Sequence, residues 1–111
     1  MTWNSLTSID QIAQIVERSH QVSCLIFKHS TSCSISSIAK YRLEDDWPFS
    51  LSEMEVFYLD LLSFRSVSNA VAEHLEVHHE SPQIILISKG EVVLDASHLG
   101  ISVAEIQEIL A

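Results

Sequence analysis

Glycine is almost absent from this chain: only Gly90 and Gly100 occur, both late. A doubly wound nucleotide-binding domain needs a glycine-rich phosphate loop after its first strand, and none can be built here. No serine carries the flanking glycines of a Gly-x-Ser-x-Gly hydrolase elbow either. Basic residues are also scarce, with six Lys and Arg against fifteen Asp and Glu and a net charge of −9. That balance argues against nucleic acid, whose phosphates call for basic patches, and against anionic membrane surfaces. No apolar run approaches the length needed to cross a bilayer. The N-terminal segment has no basic stretch followed by an apolar one, so a cytoplasmic setting is expected. Cysteine is limited to Cys24 and Cys33. Cys24 falls within an apolar run and reads as core, so a structural disulfide is not expected. His29, His78, His79 and His98, even taken with Cys33, match no compact zinc spacing, and no metal is expected.

What the chain does have is a regular alternation of elements. Its 111 residues, 47% of them hydrophobic, make one small domain spanning 1–111. Ser8 and Gln11 stand at capping-box spacing, and Ile9, Ile12, Ala13 and Val16 follow at helical period, giving a helix over about 8–18. Val22 to Phe27 is a short apolar run suited to a buried strand. A helix opens near Cys33, with Ile35, Ile38 and Ala39 on one face, and must end before Pro48. A second buried strand lies within Ser52–Ser63. Val67, Ala70, Val71 and Leu75 mark a third helix. Gln83 to Ile87 is a third strand, and Lys89-Gly90 turns the chain into its antiparallel partner, Glu91 to Ala96. Ser102 and Glu105 open a last helix that runs to Ala111.

The order αβαβαββα implies parallel strands with right-handed crossovers, closed by an antiparallel hairpin. A mixed four-stranded sheet with helices on both faces is the thioredoxin-like α/β arrangement. Two details agree with it. Cys33 follows the first strand and a short polar turn, at the start of a helix. There the unpaired N–H groups and the positive dipole end favour a thiolate over a thiol. Pro82 directly precedes the third strand, where that fold places a cis proline against the reactive cysteine, so a cis Ser81–Pro82 bond is expected. The pattern Cys33-x-x-Ser36 puts a hydroxyl where a dithiol protein has its resolving cysteine.

Three segments carry a resemblance to a known family. They are Phe27-Lys28-His29-Ser30-Thr31-x-Cys33-x-Ile35-Ser36, His79-Glu80-Ser81-Pro82-Gln83 and Asp95-Ala96-Ser97-His98. Together with Arg65-x-x-Ser68-Asn69, they resemble the YtxJ-like proteins, monothiol bacilliredoxins of the bacillithiol system, over nearly the whole chain. The resemblance implies removal of bacillithiol, or a similar low-molecular-weight thiol, from mixed disulfides on cytosolic proteins. No bound cofactor is implied; the small thiol is a co-substrate, and the partners are S-thiolated proteins. The family's reactive cysteine corresponds to Cys33. Ser34 replaces the proline usual after that cysteine, restoring an N–H and adding a hydroxyl able to reach the sulfur.

The expected site is therefore Cys33 as nucleophile, supported by Ser34, Ser36, His29, Thr31, His79, Ser81 and Pro82. Ser36 is expected one turn on, as a hydrogen-bond donor near the sulfur. His79 is expected to hold the loop before Pro82, and the main chain of Ser81 to pair with an extended substrate segment. Lys28 and His29 admit two readings, an electrostatic aid to the thiolate or a solvated strand end. Glu44-Asp45-Asp46 reads as a solvated helix end, and Trp3, Trp47, Phe57 and Tyr58 as packing. Two other functions stay open at this level. One is a peptide-binding module with Cys33 a bystander. The other is a monothiol glutaredoxin-like iron–sulfur carrier, which needs thiolates from elsewhere.

Overall fold

A computed structural model describes residues 1–111. The strands are β1 (Trp3–Ser5), β2 (Ser23–His29), β3 (Met54–Asp60), β4 (Gln83–Ser88) and β5 (Glu91–Ser97). The helices are α1 (Asp10–Arg18), α2 (Ser34–Asp45), α3 (Arg65–Leu75) and α4 (Val103–Leu110), with a 3₁₀ turn at His98–Gly100. They form one mixed sheet in the order β1-β3-β2-β4-β5. β1 and β2 each run parallel to β3, whereas β2–β4 and β4–β5 are antiparallel. The α/β class and the helices on both faces are as expected; the sheet has five strands rather than four. The extra strand, β1, is too short to show alternation, and it is held as an edge by pairing with β3 from Trp3↔Val56 to Ser5↔Tyr58.

Period-two alternation in β2 divides the core. Cys24 and Ile26 point to one face, where Ile12 and Ile15 of α1 and Val67 and Val71 of α3 pack. Leu25 and Phe27 point to the other, against Ala39 and Leu43 of α2 and Ile106 of α4. β2 is central, and its last six residues are all buried. It therefore extends two residues beyond the apolar run, through Lys28 and His29. Both side chains lie inside the molecule, Lys28 at 0% exposure and His29 at 5%. A solvated strand end is excluded for both.

The helix boundaries follow local chemistry. The Gln11 carboxamide accepts the N–H groups of Thr7 and Ser8, so one arm of the expected capping box forms. The other arm does not, and α1 starts two residues later than the spacing suggests. At α4 the Ser102 hydroxyl accepts from Glu105 N–H as expected. Lys89 and Gly90 both have positive φ in the β4–β5 turn. A Cβ on Gly90 would lie 2.7 Å from the ring of His20, an exposed side chain that can turn aside, so it is the positive φ that calls for glycine there. At the sheet edge, Trp3 stacks on Phe27 at 5.7 Å, and its indole N–H donates to Glu44 at 2.8 Å. Lys40 binds the same carboxylate at 2.9 Å. Glu44 thus ties α2 to β1 instead of fraying into solvent. No helix is long and apolar enough to cross a membrane.

Two predictions follow from this packing. Trp3→Ala removes the stack and the tether, and urea unfolding should show a loss of about 2 kcal/mol. Trp3→Phe keeps the ring and should lose under about 1 kcal/mol. The second concerns Lys28. Burial pushes its ammonium down from 10.5 to about 8. Above that pH the folded amine is neutral while the unfolded chain still binds the proton, so stability rises with pH. Burial raises the Cys24 thiol from 9.0 to about 11, which acts in the opposite sense once pH exceeds 9. Unfolding free energy should therefore climb by about 1 kcal/mol between about pH 7 and 9. In Lys28→Met it should stay level or fall slightly across the same range.

Candidate functional site

The site lies at the end of the sheet where β2 stops and β4 begins. β2 ends at His29, and the chain turns at Ser30–Cys33, with Cys33 N–H donating to Ser30 C=O at 3.1 Å. Cys33 is the N-cap of α2, in extended conformation, and Ser34 is the first helical residue. Its C=O accepts Ser37 N–H at 3.1 Å. The thiol is partly exposed, whereas Cys24 is fully buried in β2. On the neighbouring strand Gln83 pairs with Lys28, so Pro82 stands one step further on, level with His29. The Ser81–Pro82 bond is cis, as expected. The carbonyl of Pro82 accepts His98 N–H at 2.9 Å, which brings the 3₁₀ turn to the same end of the sheet.

Ser36 has a different role from the expected one. Its side chain is turned inward at 0% exposure. Its hydroxyl oxygen accepts Ser30 N–H at 3.0 Å and lies 2.6 Å from His29 Nδ1. The Ser30 amide takes one lone pair of that oxygen; toward His29 Nδ1 the hydroxyl donates or accepts according to the ring's tautomer. The His29 ring is stacked on Phe27 and tilted against Tyr58. Burial first, then Lys40, keeps its pKa below the ordinary histidine value, which favours the neutral ring. Ser36 thus ties the first turn of α2 to both ends of the Cys33 turn. It does not reach the sulfur, and neither does Ser34, which is exposed and makes no side-chain hydrogen bond. For Ser36 the reason is that its oxygen is taken up by Ser30 N–H and His29 Nδ1. Thr31 is exposed at the tip of the turn.

The contacts of His79 show what sequence reading missed. Its Nδ1 accepts from Lys28 Nζ at 3.1 Å and lies 3.5 Å from Ser68 Oγ. Lys28 also donates to Ser68 C=O of α3 at 3.1 Å. Burial, followed by the Lys28 charge, lowers the pKa of His79. The sequence signal for Lys28 was its place in the Cys24-Ile26-Lys28 alternation, which puts it on the core face facing α3. His98 lies at the surface, with Nε2 3.6 Å from the Glu80 carboxylate. No group of three or more His, Cys, Asp or Glu side chains is arranged to hold a metal ion.

Polar groups without partners concentrate at the same loop. Ser81 Oγ and Gln83 Oε1 are the two buried side-chain atoms that lack one, and they flank Pro82. Each such group costs roughly 1–3 kcal/mol, so this is an unusual place to leave two. The main-chain N–H and C=O of Ser81 likewise make no hydrogen bond within the chain. A partly exposed thiol, a loop before Pro82 with free main-chain groups at Ser81, and a turn held by Ser36 suit attack on a sulfur presented by a peptide ligand.

Comparison with known proteins agrees with this geometry. The model of the family described as monothiol bacilliredoxin BrxC matches residues 4–106. A solved structure described as having a thioredoxin fold, with a provisional oxidoreductase assignment, is 31% identical. The match covers 96% of this chain and 92% of that one, with a TM-score of 0.80. The thioredoxin of Malassezia sympodialis is 15% identical, with a TM-score of 0.70 over 98% of this chain and 89% of that one. The thioredoxin of Fasciola hepatica is 14% identical, with a TM-score of 0.69 over 95% of this chain and 93% of that one. The last two speak for the fold alone. The chain belongs to the monothiol bacilliredoxin family, thiol–disulfide oxidoreductases built on the thioredoxin fold.

Proposed function

We propose that this protein removes bacillithiol from mixed disulfides on proteins, with Cys33 as the nucleophile. The Cys33 thiolate attacks the bacillithiol-side sulfur of the mixed disulfide. A Cys33–bacillithiol disulfide forms, the target cysteine departs as thiolate, and it takes a proton from solvent. A second low-molecular-weight thiol, as thiolate, then attacks the bacillithiol sulfur of the adduct. It leaves as a small disulfide and frees Cys33. The mixed disulfide is the oxidant and the small thiol the reductant, so the chain needs no bound cofactor.

The observation that carries this reading is the isolation of one accessible thiol. Cys33 is partly exposed, the only other cysteine is sealed in the core, and Ser36 occupies the resolving position with its hydroxyl committed to His29 and Ser30. Resolution by an external thiol is the route this arrangement leaves. Ser81, with its main-chain groups free, is the docking edge for an extended substrate, by strand addition beside Pro82. The partners on this reading are S-thiolated proteins and the small thiol, in a reducing compartment such as the cytoplasm. Ser34, exposed beside Cys33, is open to the incoming thiol.

Mass spectrometry after exposure to mixed disulfides of bacillithiol, cysteine, coenzyme A and glutathione tests the proposal. A bacillithiol adduct on Cys33, at least tenfold faster than the others and absent from Cys33→Ser, is the expected result. Equal rates with every disulfide would remove the bacillithiol assignment. An adduct on Cys33→Ser would remove the nucleophile.

A further inference from the structure

Lys28 is the one cation sealed in the core, and no carboxylate meets it. A buried ammonium without a counter-ion is unfavourable, so its hydrogen bonds matter more than those of a surface lysine. They go to two places distant in sequence: Ser68 C=O in α3 and His79 Nδ1 in the loop before Pro82. Gln83, the cross-strand neighbour of Lys28, lies on the same face of the sheet. Its Nε2 donates to His78 C=O at 3.0 Å. One cross-strand pair therefore grips two consecutive residues of one loop, His78 by its main chain and His79 by its ring. Two residues beyond His79 stands Ser81, with its main-chain groups free.

We propose that Lys28 is a positioning residue, a buried clamp that acts through His79 to hold the Ser81 main chain where an extended substrate docks. This rests on the exchange reading given above, because it assigns Lys28 a role in presenting the peptide part of the mixed disulfide to Cys33. The ammonium touches neither thiol nor substrate. Its contribution is to fix the loop in one position before the substrate arrives, so that little order has to be imposed during binding. A fixed Ser81 backbone matters for a peptide that pairs with it. It is of no consequence to a small aromatic disulfide that has no peptide groups.

That difference supplies the test. Rates are measured for wild type, Lys28→Met, His79→Leu, His79→Asn and the Lys28→Met/His79→Leu double variant. The two substrates are a peptide–bacillithiol mixed disulfide and 2,2′-dithiodipyridine, and Cys33→Ser is run in parallel. With the peptide, Lys28→Met and His79→Leu should each raise KM about tenfold while changing kcat less than twofold, and the double variant should be no worse than either single one. His79→Asn, whose Oδ1 takes the place of Nδ1 as acceptor, should stay within about threefold of wild type. With the aromatic disulfide, all four should react within about twofold of wild type. Parallel losses on both substrates would show a general structural role and overturn the proposal, as would an unchanged peptide KM. Turnover of the peptide by Cys33→Ser would overturn the exchange reading itself, and this proposal with it.

Discussion

Two polar side chains at the end of a buried central strand impose the constraint on which the rest of this structure depends. β2 places Lys28 and His29 on opposite faces of the sheet, and neither reaches water. Leaving either without partners would cost several kcal/mol, roughly as much as a typical domain can spare. Each is therefore met by groups that the fold must deliver. On one face Ser36 of α2 hydrogen-bonds His29; on the other, Ser68 of α3 and His79 of the following loop accept from Lys28. The two helices and the loop that surround the reactive end of the sheet are fixed by satisfying adjacent residues of one strand. A strand end that buries polar groups in this way is a rigid platform, and the Cys33 turn and Pro82 both stand on it.

The same constraint explains the single-thiol chemistry. Ser36 occupies the place of a resolving cysteine, but its oxygen has a structural task that sulfur performs poorly. It accepts a main-chain N–H and makes a short hydrogen bond to an imidazole, both from a fully buried position. A thiol is a weak donor and a weak acceptor, and it is larger. The hydroxyl therefore removes an internal disulfide and at the same time locks the turn that presents Cys33. The net charge of −9 takes no part in this arrangement, since the groups that shape the site are buried and hydrogen-bonded.

Much of the fold and part of the site were legible in the sequence, for reasons that can be traced to particular residues. The helix opening at Cys33, the turn at Lys89-Gly90 and the proline before β4 are local signals, each written within a few residues. The alternation of elements follows from hydrophobic period, which is also local. β1 was not legible, because three residues carry no period, and its strand character comes from pairing with β3 more than fifty residues away. The fates of Lys28 and His29 were not legible either. Lys28 finds its partners 40 and 51 residues along the chain, and nothing near it in sequence says whether they arrive. Ser36 was placed correctly on the first turn but assigned to the sulfur. The competing partner, His29, becomes visible only once β2 is seen to run through to its end.

The end of β2 is pinned by Lys28 bonding to His79 and by His29 bonding to Ser36. Nitrogen-15 NMR of the histidine rings at pH 7 tests this most directly. The account predicts that both rings are uncharged and that His79 carries its proton on Nε2, with its unprotonated Nδ1 shifted by the hydrogen bond from Lys28. A proton found on Nδ1 of His79, or a charge on either ring at that pH, would contradict it.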